Sequence, residues 1–481
     1  MWLATPVITG AVIMSLELVA FRLYAPYFGY SIYVWGSMIS VVMAALAAGY
    51  VIGGRLADRC RGDLPLYCTI LASALFQLGI IRVVHSLLPW LAQLGDVAGA
   101  TLATLIIFAP SMLALAVVAP FVIRLLAQAG RIGTLSGTAN ALSTVGGIGG
   151  ILATSFLLVP EFGTQATMMI ACVLSALIGV VGITANKRIG LLAILPFAAL
   201  PAAPGPPRSA NTIWESESTY NLVRVERENS RLLLVLNDEI SVHSIRNGTT
   251  AWTGRYYDDF ALGPLLVSAR HALVLGMGAG ASIAATRAVA PNLDVDAVEI
   301  DPRVIEAGVR FFGVPANATW LHTHLADARQ WLTRSEDKYD LVQVDLYQGG
   351  PYVPFYLATI EFFSLTRAHL VDDGLLMMNV FDPGRDHLLV YSVLRTLKHV
   401  FPSVLVLDTG SGNHVVFAFQ QSRSITLIRS QLNQPSVNSA VEQIAHDAAR
   451  WIVDLTPPKE SPIFTDDLSQ IEQITRSALD N

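Results

Sequence analysis

Two hydrophobic patterns divide the chain. Over the first 204 residues apolar side chains run almost unbroken, in segments near residues 6 to 28, 32 to 54, 65 to 88, 98 to 127, 134 to 160 and 164 to 186. Each is long enough to cross a bilayer as a helix, which takes about 20 apolar residues. A seventh run, Ile189 to Ala203, is shorter and holds Pro196 and Pro201, so it reads as interfacial or re-entrant rather than spanning. Beyond it the runs shorten. Tyr220 to Val225 and Arg231 to Leu236, separated by Glu228-Asn229-Ser230, predict a small hairpin. From residue 252 a helix is expected to lead into a strand near 272 to 276, followed by a helix over 281 to 290, a strand over 294 to 299 and a helix over 302 to 312. A short strand from His322 to Leu325, a helix through Trp331 and a strand from Tyr339 to Asp345 continue the alternation. Gly374 to Val380, Val404 to Leu407 and His414 to Ala418 supply three more strands. Strands alternating with helices predict a doubly wound α/β sheet.

The expected organisation is therefore a transmembrane helical domain over 1–204, a Pro-rich linker over 205–213 that continues the PAAPGPP stretch, a β-hairpin module over 214–260 and a Rossmann-like domain over 261–481. Charge agrees. Residues 1–204 carry nine basic and five acidic side chains, whereas the remainder carries 22 basic and 32 acidic. The first part suits a lipid bilayer, and the acidic second part argues against nucleic acid as a partner. Arg55, Arg59 and Arg61, then Arg124 and Arg131, then Lys187 and Arg188 follow the second, fourth and sixth spans. By the positive-inside rule these ends are cytoplasmic, in an inner membrane crossed six times, with the soluble domain in the cytoplasm. Cys60, Cys68 and Cys172 all lie in the apolar half without metal-site spacing, so neither a disulfide framework nor a metal is expected. Gly146, Gly147, Gly149 and Gly150 predict close helix contact, and Pro110 and Pro120 predict kinks in the fourth span.

The chemistry concentrates after the Leu273 strand. Gly276, Gly278 and Gly280 form a turn between strand and helix, and Glu299 ends the next strand. Glycines let backbone approach a ligand, and an acid about 20 residues on can hold two ribose hydroxyls. Nicotinamide, flavin and S-adenosylmethionine folds share such turns. What discriminates is Asp327 and Asp345 after the third and fourth strands, where ligands bind outside carboxyl ends. Acids near both the base and the tail suit an adenine nucleoside with a cationic sulfonium, S-adenosylmethionine or its decarboxylated form. Each acid also has a plainer reading, with Asp327 capping the helix ARQWL, Glu299 capping or solvated, and Asp345 ending a buried strand.

Leu16 to Arg59 resembles the N-terminal membrane region of membrane-fused spermidine synthases, and its Gly53 to Arg59 stretch is similar to a loop motif of major-facilitator transporters. Over residues 215 to 470, the segments STYNLVRVERENSRLLLVLNDEISVHS, YYDDFALGPLL, VLGMGAGAS, VEIDPRVIEAGVRFF, LADARQWL and YDLVQVDLY resemble the polyamine aminopropyltransferase (spermidine synthase) family in the family's own order. Thr465-Asp466-Asp467 recurs in membrane-fused relatives. The resemblance implies an S-adenosylmethionine-dependent methyltransferase-like fold and release of 5'-methylthioadenosine as an aminopropyl-type group passes to a small amine. It implies that Glu299 binds ribose, Asp327 the adenine amino group, and Asp345 the reacting amine as base, with Tyr257 orienting that amine and Asn221 near the cofactor. It also allows a homodimer. Two positions depart from the family: Ala279 and Gln348 stand where it carries amine-holding aspartates, so a dication such as putrescine is held more weakly. Gln348 would then face the acceptor. S-adenosylmethionine cleavage or cyclisation, methyl transfer, and a non-catalytic nucleoside-sensing transporter-like protein stay open alternatives.

Overall fold

The computed structural model describes residues 2–28, 32–60, 62–126, 132–186, 209–237, 242–348, 350–435 and 439–480. The seventh apolar run and nearly all of the proline-rich boundary lie outside them. Two compact units result, Met1–Arg208 with Glu217–Thr219, and Ser209–Ser216 with Tyr220–Asn481.

Among the described residues, the first unit holds six helices long and apolar enough to cross a membrane: α1 (Ala4–Ala25), α2 (Ile32–Arg59), α3 (Leu64–Ala92), α4 (Asp96–Leu126), α5 (Gly133–Leu158) and α6 (Glu161–Thr184). Glycine sets the contact between α1 and α5. A Cβ on Gly146 would lie 1.8 Å from the Val7 carbonyl oxygen, and one on Gly150 would lie 2.4 Å from that of Ala11. Backbones this close admit no side chain, which is how small residues pack membrane helices. Gly147 instead meets the Met14 side chain, and Gly149 faces open space. Proline acts on α4 as expected: a wide π-turn over Thr104–Phe108 precedes Pro110, because proline cannot donate to the carbonyl four residues back.

In the second unit a four-stranded antiparallel sheet runs in the order β1 (Thr212–Glu217), β2 (Leu222–Glu228), β3 (Arg231–Leu236), β4 (Val242–Asn247). The sequence pattern predicts only the middle pair. TIWESE and VHSIRN are too polar to read as strands alone, and they pair because β2 and β3 offer open edges. The predicted helix from residue 252 is also replaced. Asp258 accepts hydrogen bonds from the N–H groups of Thr253 and Gly254, pinning a loop there. A 3₁₀ helix, Tyr256–Leu262, follows.

The large sheet has seven strands: β5 (His271–Leu275), β6 (Asp294–Glu299), β7 (Leu321–Leu325), β8 (Tyr339–Val344), β9 (Leu370–Phe381), β10 (Ser403–Asp408) and β11 (Asn413–Phe419). Their order is β10-β11-β9-β8-β5-β6-β7. The five strands from β5 to β9 pair in parallel, and β11 is antiparallel to both neighbours. Side chains alternate between two cores, as a pleated strand covered on both faces requires. Leu273, Leu275, Val342, Val344, Leu376 and Met378 fill one core. Ala272, Val274, Leu341, Leu375 and Met377 fill the other. Helix α7 (Ala281–Val289) joins β5 to β6. Helix α8 (Pro302–Ala307) follows β6 and runs into a π-turn, Gly308–Phe312, that ends at Gly313, φ 79°. The arrangement is Rossmann-like, of the methyltransferase type. Its strand order reverses direction at β5, which opens a crevice outside the carboxyl ends of β5, β6 and β8.

Candidate active site

A cavity of about 290 Å³ occupies that crevice, lined by the glycine turn, the ends of β6 and β8, the residues before β2, and β4. The turn exists because three glycines take left-handed backbone: Gly276 at φ 83°, Gly278 at φ 53° and Gly280 at φ 85°. Space demands glycine as well. A Cβ on Gly276 would lie 2.2 Å from the Asp345 carbonyl oxygen, and one on Gly278 would lie 2.9 Å from Ser244 Oγ. Gly276 and Gly278 line the cavity, whereas Gly280 stands behind it as the N-cap of α7.

Glu299 sits at the cavity wall with its carboxylate already held. One oxygen accepts from Gly278 N–H at 3.0 Å, the other from Ile300 and Asp301 N–H at 2.9 and 3.1 Å. Burial pushes its carboxyl up to about 7 against the pull of these donors. Oε2, which accepts once, keeps a further lone pair for a ligand hydroxyl, whereas Oε1 already accepts twice. Asp327 caps a helix, as its plainer reading expects, and also lines the cavity. Its Oδ1 caps helix α9 (Ala328–Arg334) by accepting from Gln330 N–H at 2.9 Å, while Oδ2 accepts from the Tyr356 hydroxyl at 2.8 Å within the cavity lining.

Asp345 ends β8 in a built environment. Asn379 Nδ2 donates to its Oδ1 at 2.9 Å and the Tyr256 hydroxyl donates to its Oδ2 at 3.0 Å. Asn379 is in turn oriented by Asn413 Nδ2, which donates to its Oδ1 at 3.0 Å. Burial pushes the Asp345 carboxyl up to about 6, partly offset by the two donors.

Three expected residues, Tyr257, Asn221 and Gln348, line the cavity, the first two with their polar groups engaged by the protein itself. Tyr257 lines the cavity, but its hydroxyl donates to the Val242 carbonyl at 3.0 Å, and its neighbour Tyr256 is the one on Asp345. The tyrosines lie ring against ring, 4.1 Å between centroids. Consecutive residues of a 3₁₀ helix point about 120° apart, and sequence alone does not say which faces in. Asn221 lines the cavity with its amide engaged elsewhere, donating to Asp301 Oδ2 at 2.8 Å and accepting from Asn237 Nδ2 at 2.8 Å. Gln348 lines the cavity beside Tyr347. Ala279 does not: its side chain packs in an apolar cluster with Val223, Val225, Leu234, Leu236 and Val304. Among the described residues no group of three or more His, Cys, Asp or Glu side chains could hold a metal ion.

Tyr256, Asn379, His243 and Ser244 escaped the sequence reading. Asn379 had a signal, a polar residue inside the apolar strand LLMMNV that ends only 1% exposed. Such a residue must find a partner. The β4 pair had none, because β4 itself was not legible.

Residues 262–426 match the family model described as spermine/spermidine synthase domain. The chain carries a spermine/spermidine synthase domain. A Bifidobacterium longum protein described as a probable polyamine aminopropyl transferase is 28% identical over 287 residues, 56% of this chain and 64% of the relative. The chain thus spans just under two thirds of that relative's length. An Emericella nidulans N-terminal histidine N-methyltransferase is 33% identical over 141 residues, 28% of this chain and 24% of the relative. The crystal structure of a probable spermidine synthase from Corynebacterium glutamicum aligns at TM-score 0.42 and 18% identity, covering 55% of this chain and 98% of that one. The glycine turn, Glu299, Asp327, Asp345 and Asn379 all fall inside the matched synthase domain; β4 and Tyr256 precede it.

Proposed function

We propose that the chain is a membrane-anchored transferase that takes S-adenosylmethionine or its decarboxylated form, moves an aminopropyl-type group to a small amine and releases 5'-methylthioadenosine. The observation that carries this reading is Asp345, a half-buried carboxylate steadied by Tyr256 and Asn379 in the same cavity as Glu299 and Asp327. The sulfonium is already an activated leaving group. The protein's part reduces to alignment, proton removal and exclusion of water. An acceptor arriving as ammonium gives a proton to Asp345. Its nitrogen then forms a bond to the carbon beside sulfur as the C–S bond breaks, and the electron pair stays on sulfur in the neutral thioether. Glu299 would hold the ribose and Asp327 the adenine amino group.

The test is to incubate the full-length protein with either sulfonium, with and without polyamines, and to identify the nucleoside released. Methylthioadenosine supports the reading. S-adenosylhomocysteine would replace it with methyl transfer, a second reading that the likeness to a histidine N-methyltransferase keeps in play, and absence of any product would replace it with a nucleoside-binding role.

Tyr256→Phe is expected to slow turnover by about tenfold, the scale of one hydrogen bond to a charged group. Tyr257→Phe, whose hydroxyl donates to the Val242 carbonyl and meets the Tyr256 hydroxyl rather than Asp345, should change it less than about threefold. Equal losses in steady-state kinetics would count against Tyr256 as the orienting group. The basic ends of the second, fourth and sixth spans favour a cytoplasmic synthase domain. A reporter fused after Ala203 that is active only outside the cytoplasm should be silent, and activity there would reverse the assignment.

A further inference from the structure

The end of the cavity beside the glycine turn is lined by hydrogen-bond donors. Helix α7 begins there, and Gly280 at its N-cap has no side chain to accept from the first-turn amides. Such amides carry the positive end of the helix dipole and favour an anion. Ala281 and Ser282, in that first turn, line the cavity. Two side chains of β4 line it beside them. Ser244 Oγ accepts from Ala279 N–H at 2.9 Å, which leaves its own O–H to donate. His243 also lines the cavity, and its buried Nε2 has no hydrogen-bond partner among the described residues. A buried polar atom without a partner costs about 1–3 kcal/mol, so its presence points to a group that arrives with the ligand. Burial pushes this imidazole down to about 4, which keeps it neutral and able to donate from Nε2.

Position then says which part of the ligand arrives there. With the ribose on Glu299 at the end of β6 and the adenine toward Asp327 after β7, the sulfonium tail runs the other way, over β5 and β8. That is where α7, Ser244 and His243 converge. A tail ending only in ammonium would need acids here. Ala279 instead turns its methyl into the apolar core, and residue 348 is a neutral glutamine, so Asp345 is the one carboxylate lining this end.

We propose that the first turn of α7, Ser244 and His243 form a pocket for the α-carboxylate of an intact methionine tail, so that the synthase domain selects S-adenosylmethionine over its decarboxylated form. This rests on the nucleoside-sulfonium reading above and refines it. Transfer along the propyl side then carries the carboxylate with it. The C–N bond forms as the C–S bond breaks, the amine's proton passes to Asp345, and the product bears a 3-amino-3-carboxypropyl group alongside methylthioadenosine.

Calorimetric titration of the full-length protein in detergent with S-adenosylmethionine, its decarboxylated form and methylthioadenosine tests this. The intact sulfonium should bind at least about tenfold tighter than the decarboxylated one, as expected for hydrogen bonds to a charged group. His243→Ala and, independently, Ser244→Ala should each weaken the intact ligand by about tenfold and leave the other two within about twofold. Retained methylthioadenosine affinity shows that the variants are folded. Wild-type preference for the decarboxylated form, or equal loss of both sulfonium ligands in the variants, overturns the tail assignment while unchanged methylthioadenosine binding leaves the nucleoside site standing. Failure of the wild type to bind methylthioadenosine overturns both.

Discussion

Asp345→Asn should lower turnover by roughly 10²–10⁴-fold, the range that a positioned general base contributes, while affinity for methylthioadenosine stays within about threefold. The asparagine keeps the shape of the side chain and cannot take the acceptor's proton. Wild-type turnover should also carry the signature of this group. Burial pushes its carboxyl up to about 6, and the base works deprotonated, so rate should fall about tenfold per pH unit below that value. A pH–rate profile of the residual activity in Asp345→Asn should lack this limb. Stability should move the other way. A carboxyl whose folded pKa lies above its unfolded value of 3.8 binds more protons when folded, so folding loses free energy as pH rises from about 4 to about 6. Removing the charge should therefore raise the melting temperature at pH 8, by about 1–2 kcal/mol of stability once the rearranged contacts with Asn379 and Tyr256 are allowed for. A variant that is inactive and less stable at pH 8 would assign Asp345 a structural role instead.

Glu299→Ala should cost the most in ligand affinity. Its carboxylate satisfies the N–H groups of Gly278, Ile300 and Asp301, so the variant loses both the partner offered to the ligand and the clamp that ties the glycine turn to the end of β6. Affinity for methylthioadenosine should drop by about 100-fold, the upper end of one hydrogen bond to a charged group together with loss of the clamp on the glycine turn, with about 1–3 kcal/mol of stability lost for the orphaned amides. Glu299→Gln should lose only about tenfold, because an amide oxygen still accepts. Wild-type affinity should weaken as pH falls through about 7, where burial has pushed this carboxyl and its protonation removes an acceptor. Fluorescence or calorimetric titration across pH measures all three. Ligand affinity that is indifferent to both substitutions would remove Glu299 from the ribose.

Much of this site was legible from local pattern. The β5 turn announces itself because three glycines within five residues, between an apolar run and a helix, have few other uses. The acids at 299, 327 and 345 were found because each follows a short apolar run, and the end of a parallel strand is where a crevice opens. Asp327 shows why such signals stay ambiguous, since one of its oxygens caps a helix and the other meets Tyr356 in the cavity. The residues that escaped lie on elements whose existence depends on neighbours. VHSIRN is a strand only because β3 offers it an edge, and YYDDFAL is a 3₁₀ helix only because Asp258 ties down the loop before it.

Local pattern in the amino-acid sequence was enough for the six apolar helices, the alternation of strand and helix around the glycine turn and the three acids at the strand ends. These follow from periodicity and from backbone conformations that single residues allow or forbid. Only the tertiary structure decided which polar atom meets which. It set Tyr256 rather than Tyr257 on Asp345, buried the Ala279 methyl under β2 and β3, and brought Ser244 of β4 onto the Ala279 amide of the glycine turn. The physical reason is that a side chain's direction is local, whereas its partner arrives from sequence-distant strands whose register is set by the packing of the whole sheet.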